Sequence, residues 1–175
     1  NRPYFPPEVE SILRLSHTGH WLLEVAHPNG PLNLMMFAAG TPVFDGPEDR
    51  NGLRNGDEIR LWSVLLDGDL GPVPKPPFVI LGGANLDPNK GQGRRDIIAG
   101  LLDDPRLQDP LAAGGPTVDW PEPTPGNLRV DYVLPSADLT VTAAHVFWPD
   151  IDAPDHALLH FKDTPASRHR MVWVD

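Results

Sequence analysis

Phe78, Val79, Ile80 and Leu81 form an unbroken apolar run, entered from a proline-rich stretch and left through Gly82-Gly83. A short continuous run bounded by turn formers reads as a strand buried on both faces of a sheet. The glycine pair lets the backbone turn and delivers Asn85 and Asp87 just past the strand end. Loops at the carboxyl ends of central strands are where α/β folds usually keep their chemistry. Strand-Gly-Gly-x-Asn also describes a plain structural turn. At the level of local pattern both readings stand.

Such a strand needs a domain large enough to cover it. At 175 residues the chain reads as one domain over 1–175, with 1–11 as a proline-flanked lead-in. Its 22 prolines and 16 glycines gather at 3–7, 71–77 and 121–126, which predicts long ordered loops between short elements. The net charge of −10 disfavours nucleic acid as a partner, because no basic run offsets it. With no cysteine there are no disulfides and no thiolate metal sites. No apolar run approaches the roughly 18–20 residues that span a bilayer, and the N-terminus lacks a charged-then-apolar signal layout.

Ahead of the central strand, Ile12–Ser16, Trp21–Ala26 and Leu32–Phe37 read as three strands, the last two joined at Pro28-Asn29-Gly30. After an irregular polar loop at 41–54, Asn55 reads as a helix cap with Glu58 in the capping-box position. Ile59, Trp62, Leu65 and Leu66 supply the apolar stripe, and Gly68 is the stop. The central strand is expected at 78–82. A second helix follows over 94–103, ended by Pro105. Strands are expected at Arg129–Leu134, where Val130, Tyr132 and Leu134 share a side, at Leu139–Trp148 and at Met171–Val174. The order implies mixed α/β with helices packed on a sheet.

The run PVFDGPEDRNGLRNGDEIRLW, the strand end GGANLDP, the strand RVDYVLPS and the closing SRHRMVWVD resemble the endonuclease/exonuclease/phosphatase superfamily. Within it they are most similar to a bacterial, mostly exported branch, from about Leu13 to Asp175. The resemblance implies a divalent metal that neutralises a phosphoester, an oriented water that attacks it and an Asp-His pair that assists. It also implies a four-layer α-β-β-α sandwich of two similar halves, of which this chain matches the C-terminal half. Its fold class is then α/β: a mixed β-sheet with helices on one face. The same resemblance implies a periplasmic or extracellular location.

By that resemblance Asn85, Asp131 and His169 are retained catalytic positions, whereas Gly83, Arg168 and Ala38 stand where catalytic-type side chains are expected. Gly83 can neither orient water nor bind metal. Arg168 beside His169 is expected to disfavour a protonated imidazole. The metal-binding Glu of the superfamily belongs to the other half, and Glu8 and Glu10 lie in the lead-in, not at a strand end. The expectation is therefore a catalytically inactive chain, needing no cofactor, that serves as a subunit of a larger assembly. The alternative is one half of an active phosphodiesterase or phosphatase using Mg²⁺ or another divalent cation, its N-terminal half being a separate or cleaved chain. Either way a partner chain, or a copy of this one, is expected to cover the inner sheet face.

Other groups compete for attention. His156 and His160 are spaced to share a helical face and to bind a metal, although a surface pair serves as well. Asp45, Glu48, Asp49 and Asp57 could hold Ca²⁺, but their spacing fits no EF-hand and equally suits a solvated loop with a capping role. His17 and His20 belong at a strand start. Trp62, Trp120, Trp148 and Trp173 read as core or rim packing. No dinucleotide fingerprint or Ser-His-Asp order is present.

Overall fold

In a computed structural model, residues 5–161, 164–165 and 167–175 are described, without the side chains of 160, 161, 164 and 165. The chain begins with a single helical turn, α1 (Pro7–Glu10), and then forms the hairpin β1 (Gly19–Val25) and β2 (Leu32–Ala38). Helix α2 (Arg50–Leu66) crosses to β3 (Phe78–Gly83), and α3 (Arg95–Leu102) precedes β4 (Asp131–Pro135). These four strands make one sheet in the order β1-β2-β3-β4, with β2 and β3 parallel and the other neighbours antiparallel. Farther on, β5 (Ala144–Val146) pairs with β8 (Val172–Val174), and β6 (His160–Phe161) with β7 (Thr164–Pro165).

The core lies on one face of the sheet. Met35 and Phe37 of β2, Phe78 and Ile80 of β3, and Tyr132 and Leu134 of β4 meet Ile59, Trp62 and Leu66 of α2 and Ile98 and Leu101 of α3. Register explains the selection: Met35, Ile80 and Leu134 form one cross-strand row, and every second residue points the same way. Burying a side chain of this size contributes about 1.5–3 kcal/mol, so this layer dominates the stability. A satellite cluster of Val118, Leu128 and Val130, with Trp120 against it, lies beneath the loops before β4.

The central strand departs from expectation on its second face. Phe78 and Ile80 are buried, but Val79 and Leu81 are only half-buried. Leu34, Met36 and Val133 on the same face are half-buried too, and Trp21, Leu23 and Val25 of the edge strand are exposed. The two helices cover one side, and the other is covered only in part.

Three element expectations are corrected. Ile12–Ser16 is not a strand: Ile12 is exposed, and the carbonyls of Arg14 and Leu15 accept hydrogen bonds from the Arg54 guanidinium instead of a ladder. Helix α2 begins five residues before Asn55. Asp45 supplies the cap from the preceding loop by accepting the Asn51 N–H, while Asn55 lies fully buried inside the helix. Leu139–Trp148 yields only the three residues of β5. Tertiary partners claim the rest, with Gln108 donating to the Leu139 carbonyl and Thr142 to the Asp175 carbonyl. No helix among the described residues is long and apolar enough to cross a membrane.

Candidate functional site

The motif positions gather where β2 and β3 end and β4 begins. Ala38 pairs with Gly83 across the parallel ladder, and Gly83 pairs with Asp131 across the antiparallel one. The three therefore form one cross-strand row, on the sheet face away from the helices. The two glycines differ in kind. Gly82 has φ +145°, and a Cβ there would fall 1.9 Å from the Phe37 carbonyl oxygen, so the backbone requires glycine. At Gly83 a Cβ would meet only the Asp131 carboxylate, at 3.3 Å. Nothing in the backbone demands glycine there, and a side chain at 83 would stand directly beside Asp131.

Asp131 finds its partner across the chain. His169 Nδ1 lies 2.9 Å from Asp131 Oδ2 and 3.0 Å from Oδ1, so the ring donates to the carboxylate through Nδ1. That hydrogen bond raises the His169 pKa above its ordinary value, against the opposing effect of partial burial. Trp120 presents its ring edge-to-face to the imidazole at 5.9 Å between centroids. Nε2 has no hydrogen-bond partner among the described residues. Arg168 does not act on His169 as expected from sequence: its guanidinium donates to the Asp119 carbonyl at 3.1 Å, and the Asp131 carboxylate raises the ring's pKa instead.

Asn85 is placed beside this pair and held firmly. It adopts φ +52°, its amide Nδ2 donates to the Ala39 carbonyl at 2.9 Å, and its backbone N–H reaches the Val130 carbonyl. Asn and Asp tolerate this left-handed conformation better than most residues. Asn85 thus ties the end of β2 to the turn after β3, next to the residue preceding Asp131.

Sequence reasoning missed one buried polar residue, Thr117, and gave two others, Asn55 and Glu58, a capping role they do not have. Thr117 is fully buried and donates its hydroxyl to Asp131 Oδ2 at 2.9 Å. Glu58, also fully buried, accepts the backbone N–H groups of His17 and Gly40, while Asn55 donates to the Gly40 and Ala84 carbonyls. Together Asn55 and Glu58 fasten the segments leaving β2 and β3 to helix α2. Their signal was present: both lie on the stripe of Ile59, Trp62 and Leu66, where a polar residue must have a buried partner. For Thr117 there was no such signal.

The remaining candidates have local roles. Asp45 caps α2, Asp49 pairs with Arg94 at 2.7 Å and Asp57 approaches Arg60. His20 stands in β1, bonded to Ser16 and to the Glu58 carbonyl, and burial lowers its pKa. His17 lies two residues before that strand. His156 lies in a short 3-10 turn, and the side chain of His160 is outside the described residues. Trp62 is core, Trp120 caps the satellite cluster, Trp148 lies under Arg170 and Trp173 packs on His145.

A divalent cation of the hard, oxygen-seeking kind needs several converging oxygen ligands. Around Asp131, position 83 offers no side chain, and the carboxylate is already engaged by Thr117 and His169. No group of three or more His, Cys, Asp or Glu among the described residues converges to hold a metal ion. The residues described here do not fit such an ion.

The fold has relatives. The chain is similar to the endonuclease/exonuclease/phosphatase from Beutenbergia cavernae DSM 12333, with a TM-score of 0.59 and 20% identity over 86% of this chain and 37% of that one. It is also similar to the 3′ phosphatase NExo from Neisseria, solved with a product DNA hairpin. There the TM-score is 0.56 at 14% identity, over 97% of this chain and 67% of that one. At these identities the likeness shows the fold, and the chain spans well under half the length of the first relative. No curated protein matches the sequence. The endonuclease/exonuclease/phosphatase family, in contrast, matches residues 6–169, and the chain belongs to it.

Proposed function

We propose that this chain is a phosphoesterase-type domain that retains a histidine-carboxylate proton-transfer pair but does not turn over phosphoesters alone, and that it works as a subunit of a larger assembly. The observation that carries this reading is the row Ala38–Gly83–Asp131 with His169 bonded to its one acidic member. In phosphoester hydrolysis such a pair would use Nε2 to take a proton from water or give one to the leaving oxygen, with Asp131 holding the ring by Nδ1. Charge neutralisation of the phosphate is the missing contribution, since Gly83 offers nothing and Arg168 is turned to Asp119.

The half-covered sheet face supports the subunit role. Two rows, Trp21–Met36–Leu81–Val133 and Leu23–Leu34–Val79, lie beside the motif row on the side the helices do not cover. A second sheet, contributed by another protein chain, would bury these rows about 10 Å away and complete the surroundings of His169. A specific observation favours the alternative of one half of an active metal-dependent enzyme: the pair is fully assembled, and its histidine has a raised pKa.

The test is hydrolysis of a bis-aryl phosphate and an aryl monophosphate by the purified chain with Mg²⁺, Mn²⁺ or Ca²⁺, together with light scattering. The expected outcome is no turnover above blank, and association beyond the 19.2 kDa monomer or capture of a separate chain. Metal-dependent turnover by the lone chain overturns the first half of the reading. A stable monomer that binds no hydrophobic dye overturns the second.

A further inference from the structure

Thr117 touches every segment that holds the pair. Its N–H donates to the Leu128 carbonyl, and its carbonyl accepts the Arg170 N–H, each at 2.8 Å. Its hydroxyl oxygen accepts the N–H groups of Val130 at 2.9 Å and Asp131 at 3.0 Å. A hydroxyl has two lone pairs and one proton. Both lone pairs face groups that can only donate, so the proton has one destination, Asp131 Oδ2 at 2.9 Å. The hydroxyl is fully buried, with no alternative rotor position in water.

This matters because the terminal torsion of an aspartate is broad and soft. Held by His169 alone, the Asp131 carboxylate could swing, and Nδ1 would lose its partner for part of the time. We propose that Thr117 is a positioning residue: its hydroxyl orients the Asp131 carboxylate and thereby sets the tautomer that His169 adopts. The inference rests on reading Asp131–His169 as the site. Other charged groups near the ring are engaged elsewhere. Arg168 reaches the Asp119 carbonyl, and Arg170 pairs with the Asp119 carboxylate at 2.7 Å and lies over Trp148. From β3, position 83 presents no side chain.

The test reads the His169 ring by its ¹⁵N shifts in the full chain at alkaline pH, where the imidazole is neutral, with His169→Gln assigning the resonance. In the wild type Nδ1 carries the proton. In Thr117→Val, which removes the hydroxyl at nearly constant volume, the Nδ1–H form falls to the minority, and Thr117→Ser restores it. Should Thr117→Val fail to fold, Thr117→Cys keeps the shape with a much weaker donor and serves the same comparison. A folded Thr117→Val or Thr117→Cys with the wild-type tautomer overturns the proposal, as does a Thr117→Ser that behaves like Thr117→Val. Phosphoesterase activity in the lone chain would overturn the proposed function yet leave this result standing.

Discussion

The two faces of the four-stranded sheet are made from the same strands and have opposite fates. On the helix side, Met35, Ile80 and Leu134 are at most 1% exposed, whereas their immediate neighbours Met36, Leu81 and Val133 on the other side are half-buried. The difference is not hydrophobicity, since both rows are apolar. It is the presence of α2 and α3 on one side and the loop ends with Asp131, His169 and Trp120 on the other. Stability is concentrated on the covered face, and the motif row sits at the margin of the face that is not.

Breaking this comparison is most direct with adjacent substitutions in one strand. Ile80→Ala is expected to cost about 2–5 kcal/mol, because it opens a cavity in a fully packed layer. Leu81→Ala next to it should cost about 1 kcal/mol, in proportion to the area it buries. Urea denaturation of both variants checks the ratio, and equal losses would mean that the second face is covered in solution.

Glu58 offers the next largest effect. Glu58→Gln leaves one of the two backbone donors that meet this buried carboxylate poorly matched and is expected to cost about 1–3 kcal/mol. Its signature would be faster amide exchange at His17 or Gly40, the two groups its carboxylate holds. Unchanged exchange at both would show that the amide serves as well as the acid.

Gly83→Asp sharpens the contrast at the motif row. The new carboxylate would stand directly across the strand pair from Asp131, and opposed like charges cost about 0.2–1 kcal/mol. The melting temperature should fall at neutral pH and recover on adding Mg²⁺, whereas the wild type should show no Mg²⁺ response. A variant as stable as the parent without the ion would mean that the two side chains diverge.

The smallest effect is a pH dependence. Because Asp131 raises the His169 pKa in the folded chain, the pair's contribution to stability is fully present below the ordinary histidine value of about 6.5. It is lost as pH rises through the folded value. Asp131→Asn should lower the His169 pKa measured by NMR and flatten that part of the stability profile. An unchanged pKa would place the cause elsewhere.

Much of this architecture was legible before any coordinates. The hairpin at Pro28-Asn29-Gly30, the apolar run at 78–81, the stripe of α2 and the alternation of Val130, Tyr132 and Leu134 all follow from period and turn chemistry, which are local. Ile12–Ser16 and Leu139–Trp148 misled because an apolar segment reads as a strand only until something else takes its backbone groups. Arg54 does so for Arg14 and Leu15, and Gln108 for Leu139. Asn55 misled for a related reason: a good capping residue was used instead as a buried tie between Gly40 and Ala84.

What the sequence determined by itself is the family, the alternation that sorts each strand into two faces, and the absence of side chains at 38 and 83 able to do acid, base or metal chemistry. Only the tertiary structure decided which partners meet. It placed Asp131 within hydrogen-bonding reach of His169, 38 residues away, turned Arg168 aside to Asp119, and set Thr117 behind the carboxylate. Residue type and spacing are local properties of a chain. The direction of a hydrogen bond between distant segments depends on register and packing, which no short window of sequence contains.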